Sequence, residues 1–157
     1  MKILIQRVKR ASVSVDDNII GSINYGMLLF VGFCEGDNIN TVEEMAKKCI
    51  QLRIFSDENG KMNKSLLDIN GEVLSISQFT LYANCLKGRR PSFEKSEKPE
   101  KALELYEYFN RYINNIYNIV VNKGEFGADM KIELINDGPV TIMLDSEEII
   151  KKQKKVN

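Results

Sequence analysis

The sequence predicts one α+β domain, a curled β-sheet or barrel rich in antiparallel pairs with two main helices packed against it. Most apolar segments are short, rich in β-branched residues and separated by turn residues, which is typical of a sheet. Two longer segments repeat apolar residues at helical intervals. The 157 residues, 43% hydrophobic and 28% charged, have the size and composition of one globular domain. We expect this domain to span residues 1–146, followed by a lysine-rich tail at 147–157 that frays.

The first elements are predicted to be strands. Residues 2–9 and 11–15 are apolar and β-branched, and a polar turn leads from them into 19–23, which predicts a hairpin. The nearly continuous apolar run at 27–33 predicts a strand buried on both faces. Alternating residues at 72–82 predict another strand. Three more strands are expected later in the chain, at 119–121, 131–135 and 140–144.

Two helices follow from apolar residues at helical spacing. The first is expected to begin near Thr41, because Thr41 and Glu44 have the spacing of a capping box. The second is expected to begin at Pro99, since proline suits the first turn of a helix. Its aromatic residues belong to a stripe that favours core packing over base stacking, formed by Ala102, Tyr106, Phe109, Ile113 and Ile116.

The composition excludes several classes of site. There is no histidine, which removes Ser-His-Asp and Cys-His catalysis, histidine-bound metals and the usual general base near neutral pH. Cys34, Cys49 and Cys85 form no CxxC pair, so we expect reduced thiols in a cytoplasmic protein, no metal site and no cofactor. The net charge is zero, so contact with nucleic acid requires a local basic patch. No apolar run has the length of a membrane-spanning helix.

Polar residues interrupt two of the predicted strands, and there we expect a site. In the first strand, Gln78 and Thr80 share one face, while Ser77 and Phe79 share the other. Thr80 is the candidate nucleophile, yet a threonine hydroxyl needs an activating base that this chain does not offer. The alternative is a threonine that only satisfies a local hydrogen bond, and Ser77 and Thr141 have the same alternative.

A Gly-Pro turn and a basic loop complete the candidate features. Gly138-Pro139 can adopt a cis peptide bond in a tight turn, although an ordinary turn is the more frequent outcome. The loop containing Lys87, Arg89 and Arg90 can contact phosphates or can simply be solvated. From the residues alone, these features give a histidine-free polar site and no substrate.

At these residues the sequence resembles the D-aminoacyl-tRNA deacylase family. Residues 77–81 (SQFTL) and 136–141 (NDGPVT) match its two signature motifs. Further matching stretches lie at 5–8, 11–13, 52–55, 60–63, 87–93 and 124–130. The resemblance runs from residue 1 to about residue 146 and leaves only the tail outside.

The resemblance implies an enzyme that hydrolyses the ester between a D-amino acid and the terminal adenosine of tRNA, with mischarged glycyl-tRNA(Ala) as a second substrate. It also implies a homodimer with its sites at the subunit interface. A cis Gly138-Pro139 turn from the partner would reject L side chains with its backbone carbonyls. The terminal 2′-hydroxyl of the tRNA would assist the attacking water, so the protein needs no titrating side chain.

The resemblance also assigns roles to individual residues. Backbone N–H groups near Gln78 and Phe79 would hold the ester carbonyl, and Thr80 would position substrate or water. The catalytic strand end comprises Ser77, Gln78, Phe79 and Thr80. The chiral filter comprises Gly138, Pro139, Val140 and Thr141, with Arg7 bracing the turn across the dimer. Phe126 and Met130 would line the adenosine pocket.

Two other functions remain open at this stage. The first is a nucleic-acid-binding module that uses the same groove and basic loop without ester turnover. The second is an esterase that depends on Thr80 and acts on small substrates without a 2′-hydroxyl.

Overall fold

The structure, a computed structural model, describes residues 1–153, and that range contains eight β-strands and three α-helices. The strands are β1 (Lys2–Val15), β2 (Asn18–Ile23), β3 (Gly26–Gly32), β4 (Phe55–Ser56), β5 (Met62–Lys64), β6 (Glu72–Ser77), β7 (Val121–Lys123) and β8 (Lys131–Asp145). The helices are α1 (Ile39–Gln51), α2 (Pro99–Tyr117) and α3 (Ser146–Gln153). A 3₁₀ turn spans Phe79–Tyr82.

Six strands form one curled sheet in the order β2-β1-β3-β6-β7, and β8 pairs with β1. β1 pairs antiparallel with β2, β3 and β8, whereas β6 pairs parallel with β3 and β7. The two ends of the sheet approach each other where Asn122 Nδ2 of β7 donates to the Ser22 carbonyl of β2 at 2.7 Å. The result is a nearly closed barrel with the helices packed outside it. The predicted α+β class is therefore confirmed.

The core has two layers, one on each side of the sheet. Met27 and Leu29 of β3 face the helices and join the larger layer. Leu28, between them, faces the barrel interior and packs there with residues such as Val8 and Leu74. β3 is thus buried on both faces, as its continuous apolar run predicted, and each fully buried leucine contributes about 2 kcal/mol.

The strand predicted at 72–82 is too long. β6 ends at Ser77, where the following Gln78 N–H donates to the Val31 carbonyl at 2.8 Å. The chain then turns into the 3₁₀ segment, so the predicted alternation of Gln78 and Thr80 on one face does not occur. The polar residues of this stretch form the turn that follows the strand.

Several other boundaries also differ from the prediction. β1 is one strand instead of two, since it pairs with β3 along its first half and with β2 along its second half. β8 is likewise continuous, because the Gly-Pro segment leaves the ladder and β8 then resumes its pairing with β1. The strand predicted at 119–121 lies at Val121–Lys123.

The tail also departs from its prediction. Residues up to Gln153 form α3 instead of fraying, because Ile149 and Ile150 pack on the core and the Ser146 N–H donates to the Met1 carbonyl at 2.9 Å. Residues 154–157 lie outside the described residues. No helix between residues 1 and 153 combines the length and hydropathy needed to cross a bilayer.

Helix α1 begins two residues earlier than predicted, at Ile39, and its cap is a different residue. Asn38 is the N-cap, and its side-chain oxygen accepts a hydrogen bond from the Thr41 N–H at 3.1 Å. The predicted capping box between Thr41 and Glu44 is therefore wrong, because the N-cap is Asn38 and not Thr41. The helix itself is confirmed.

Replacing Asn38 by alanine removes this cap. We expect Asn38→Ala to lower the free energy of unfolding by about 1 kcal/mol in urea titrations followed by circular dichroism. Asn38→Asp keeps an acceptor and is the control. Thr41→Ala should cost about 0.5 kcal/mol or less, and an equal loss at Thr41 would restore the capping-box interpretation.

Candidate functional site

A pocket of about 280 Å³ opens where β3 and β6 end. The start of α2 and the loop between β7 and β8 close its other sides. Its lining is mostly apolar, and it is formed by Val31, Gly32, Phe33, Ile76, Ser77, Gln78, Phe79, Glu97, Ala102, Phe126, Gly127, Ala128, Met130 and Ile132. A mostly apolar cleft with a few polar groups is the usual form of a small-molecule site.

Five of the residues predicted for the site come together in this pocket: Ser77, Gln78, Phe79, Phe126 and Met130. Phe126 is held against the buried Tyr106 of α2, with ring centroids 6.0 Å apart. Met130 lies against Gly124, where an added Cβ would stand 2.4 Å from the Met130 sulfur. The glycine at 124 thus allows the methionine to reach the pocket wall.

Gln78 lies at the polar edge of the pocket. Its N–H is used inside the protein, as a donor to Val31, and is therefore not available to a substrate carbonyl. The next two amides, of Phe79 and Thr80, begin the 3₁₀ turn, where helical geometry leaves N–H groups without intrahelical acceptors. The Gln78 N–H is therefore engaged within the protein, and donation by the Phe79 N–H stays a prediction.

Thr80 is exposed and does not line the pocket. Its hydroxyl oxygen accepts a hydrogen bond from Gln78 Nε2 at 2.5 Å. An amide N–H cannot remove a proton, so this contact does not activate the hydroxyl as a nucleophile. The local hydrogen bond is the one that the alternative interpretation predicted, although it occurs in a turn and not in a strand.

The cysteines do not replace Thr80 as a candidate nucleophile. Burial raises the pKa of the Cys49 thiol to about 12, so this thiol stays protonated near neutral pH. Cys34 and Cys85 do not line the pocket. In the part of the chain from residue 1 to 153, no three Cys, Asp or Glu residues are grouped as metal ligands would be.

The Gly-Pro turn is an excursion of β8 opposite a single residue of β1. Gln6 pairs with Thr141 and Val8 with Asn136, so residues 137–140 all stand opposite Arg7. The Gly138-Pro139 bond is cis. Gly138 has φ +143°, which side chains rarely adopt, and an added Cβ would lie 3.2 Å from the Arg7 guanidinium.

Two side chains hold this turn from opposite sides. The Asn136 side chain accepts a hydrogen bond from the Val140 N–H at 2.8 Å and donates to the Val140 carbonyl and the Thr141 hydroxyl. Arg7 Nε donates to the Asp137 carbonyl at 2.8 Å, and its Nη1 donates to the buried Ile54 carbonyl at 2.7 Å. Arg7 thus holds the turn of its own chain, and the bracing across a dimer that the resemblance implies stays a prediction. Asn136 was not among the predicted site residues, although it is the first residue of the NDGPVT motif and could have been included on that basis.

The turn is not part of the pocket of its own chain. Arg7, Gly138, Pro139, Val140 and Thr141 do not line it, and Gly138, Pro139 and Thr141 are exposed. The two signature motifs therefore form two separate surfaces of one chain.

The basic loop begins at the rim of the pocket. Phe93 packs edge-on against Phe79, with centroids 5.0 Å apart, and the Ser96 hydroxyl donates to the Phe79 carbonyl at 3.3 Å. An antiparallel bridge between Asn84 and Ser92 closes the base of the loop. The loop's cationic residues, Lys87, Arg89 and Arg90, are all exposed.

Sequence reasoning also missed Glu97. This residue is the single charged residue among the described residues that line the pocket. Hydrogen bonding from the Lys98 amide, followed by the effect of the nearby Lys101 ammonium, holds the pKa of Glu97 below its usual range, so the carboxylate is charged near neutral pH. A lone glutamate ahead of a helix gives no signal in the sequence that it will face a cleft.

Comparison with known proteins assigns the family. The family model described as D-Tyr-tRNA(Tyr) deacylase matches residues 4–145. The chain belongs to the D-Tyr-tRNA(Tyr) deacylase family. The D-aminoacyl-tRNA deacylase of Thermosipho africanus is 53% identical over 149 residues, which are 95% of this chain and 99% of the relative. That of Shouchella clausii is 54% identical over 147 residues, 94% and 100% of the two chains. The expected enzyme class, a hydrolase of the aminoacyl-tRNA ester, is therefore confirmed at the level of the family.

Solved structures agree with the deacylase fold. The structure of a protein named c-Myc DNA Unwinding Element Binding Protein has a TM-score of 0.88 and 39% identity, and the match covers 92% of this chain and 98% of the other. A probable eukaryotic D-amino acid tRNA deacylase has a TM-score of 0.80 over the same shares at 16% identity, which is evidence for the fold alone.

Arg7 should matter for the stability of the domain. Arg7→Met leaves the Ile54 and Asp137 carbonyls without their donor, so we expect a loss of about 2 kcal/mol in the free energy of unfolding, measured in urea. Lys9→Met is the matched control, because Lys9 is exposed and makes a weak ion pair with the Asp137 carboxylate, at 3.7 Å. That control should change stability by about 0.5 kcal/mol or less. Equal effects of the two substitutions would show that Arg7 does not hold the turn.

Proposed function

We propose that this protein hydrolyses the ester of D-aminoacyl-tRNAs, releasing the D-amino acid and tRNA. The main support is the pocket, which joins the end of the SQFTL motif to Phe126 and Met130 from a segment about fifty residues later. The apolar walls suit the terminal adenosine, and the polar edge at Gln78 and Phe79 suits the ester. Mischarged glycyl-tRNA(Ala) is a second proposed substrate.

We further propose a homodimer in which the Gly138-Pro139 turn of one chain completes the pocket of the other. This is supported by the exposed position of the turn, which does not contribute to its own pocket. Ile135 and Met143 on the outer face of β8 are 42% and 48% exposed, and β8 pairs only with β1 among the described strands. An unpaired edge with exposed apolar side chains is a typical contact surface.

In that arrangement the turn would select the D enantiomer. Backbone carbonyls of Gly138 and Pro139 would face the α-carbon of the substrate, so an L side chain would clash while a D side chain or glycine would not. Val140 and Thr141 follow the turn and belong to the same surface. The hydrogen bonds of Arg7 and Asn136 to the turn support this role, because a turn that excludes L side chains by a steric clash must stay in place.

Catalysis would rely on the backbone and on the RNA. The Phe79 amide at the pocket edge would stabilise the developing oxyanion, and the terminal 2′-hydroxyl would assist attack by water. The absence of histidine from the sequence and the local hydrogen bond of Thr80 both favour this mechanism over a side-chain nucleophile. No cofactor is part of the proposal. We propose that the enzyme acts in the cytoplasm, with Lys87, Arg89 and Arg90 contacting tRNA phosphates beside the pocket.

A nucleic-acid-binding module without esterase activity is the second candidate. The observation that favours it is the 39% identity with the c-Myc DNA Unwinding Element Binding Protein, whose name describes a protein that binds DNA. In this chain the exposed basic loop could serve such binding, but the net charge is zero.

Deacylation of matched D-tyrosyl-tRNA and L-tyrosyl-tRNA by the purified protein tests the proposed function. We expect cleavage of the D ester alone, unchanged by a metal chelator. Cleavage of both esters would indicate a general esterase without a chiral filter. Cleavage of neither, with tRNA still bound, would favour the binding module.

Thr80→Ala separates the two possible sources of chemistry. We expect this variant to keep deacylation within about tenfold of the unaltered enzyme, because one lost polar contact costs about 1 kcal/mol. A substrate with a 2′-deoxy terminal adenosine should instead be cleaved at least about a hundredfold more slowly. The opposite pattern, inactivity of Thr80→Ala with normal cleavage of the 2′-deoxy substrate, would establish the Thr80-dependent esterase. Single-turnover rates measure both.

A further inference from the structure

Glu97 has no assigned role in the site described above, although it lies in the pocket wall. Its side chain is only 7% exposed. One carboxylate oxygen, Oε1, accepts a hydrogen bond from the Lys98 N–H at 2.9 Å. The other, Oε2, is buried and makes no hydrogen bond. It forms an ion pair with Lys101 Nζ at 3.2 Å, one helical turn away. Lys101 is thus the cationic neighbour of Oε2, and a carboxylate oxygen can accept more than one donor.

The surroundings of Glu97 favour a cation as its partner. Every other residue that lines the pocket is neutral, and most are apolar. An anion in such an environment attracts a positive charge more strongly than it would in water. Lys101 pairs with Glu97 from outside the pocket, since its side chain is 48% exposed and does not line it.

Glu97 also lies beside the part of the pocket where the ester is proposed to bind. The preceding residue, Ser96, donates its hydroxyl hydrogen to the Phe79 carbonyl. The Glu97 N–H donates to the Phe33 carbonyl at 3.0 Å, which fixes the segment to the end of β3. The carboxylate is therefore carried by a segment that is held at Ser96 and at Glu97 itself.

We propose that Glu97 binds the α-ammonium group of the aminoacyl ester and so selects amino acid esters over esters without that charge. This inference rests on the proposed function. The α-amino group of a peptide has a pKa of about 8, so the substrate carries a positive charge near neutral pH. The substrate ammonium would donate to Oε2 in addition to the contact with Lys101. Glu97 is thus a substrate-binding residue for the part of the substrate common to all amino acids, which fits an enzyme that accepts different side chains.

The test compares two substrates that differ in this one group, D-phenylalanyl-tRNA and D-phenyllactyl-tRNA, in which a hydroxyl replaces the α-ammonium. The readout is the ratio of kcat/KM for the phenylalanyl ester to kcat/KM for the phenyllactyl ester. The intrinsic reactivity of each ester is the same for every variant, so it cancels when ratios are compared. Glu97→Gln keeps the size of the side chain and removes its charge. We expect it to lower the ratio roughly tenfold or more, mainly through a higher KM for the amino ester.

Two further variants distinguish substrate binding from a structural role. Glu100→Gln removes the same charge from an exposed position on the first turn of α2 and should leave the ratio unchanged. Lys101→Met removes the competing cation and should leave the ratio equal or higher. If Glu97 served only to pair with Lys101, both Glu97→Gln and Lys101→Met would lower stability and neither would change the ratio.

The outcomes are distinct. A lowered ratio for Glu97→Gln alone supports the inference. An equal loss on both esters, or a ratio that falls as much in Lys101→Met, overturns it while leaving the deacylase intact. Inactivity of the unaltered enzyme on both esters overturns the proposed function, and the inference with it.

Discussion

The antiparallel pairing of β1 with β8 is the interaction on which the rest of the structure depends. β1 is also paired on its other edge, with β3 and β2, so it joins every long antiparallel ladder of the barrel. At one point the ladder opens, and residues 137–140 leave β8 opposite Arg7. Burial of the Arg7 guanidinium would be costly without partners. The Asp137 and Ile54 carbonyls accept its hydrogen bonds and so offset that cost. The turn is therefore exposed and rigid at once, which is unusual for a segment outside the core.

The residues of the proposed site form two separate groups within a single chain. One is a mostly apolar pocket at the ends of β3 and β6, and the other is the exposed Gly-Pro turn. Under the proposed function, their separation within a chain would be a physical reason for association, since a pocket that selects one enantiomer needs a wall close to the α-carbon. The outer face of β8, with Ile135 and Met143 exposed, offers apolar area for that contact. Activity and assembly would then be linked by geometry.

Charged residues are balanced over the chain and scarce in the pocket wall. The sequence balances 22 basic and 22 acidic residues. Lys87, Arg89 and Arg90 lie on an exposed loop, and Phe93 of that loop packs against Phe79 at the pocket. Within the pocket wall the only charged group of the described residues is the Glu97 carboxylate. A negative charge inside and positive charges at the rim correspond to the two charges of an aminoacyl-tRNA end, an ammonium on the amino acid and phosphates on the RNA.

The sequence by itself determined the fold class, the two main helices and the residues of both motifs, because apolar periodicity and turn residues act locally. It also determined that the chemistry involves no histidine. It could not show that 72–82 changes from strand to 3₁₀ turn at Gln78, since that depends on an acceptor at Val31, more than forty residues earlier. Nor could it show that Arg7 holds residues 137–140 of its own chain, or that Glu97 faces the pocket. These features result from contacts between distant segments, so only the tertiary structure decided them.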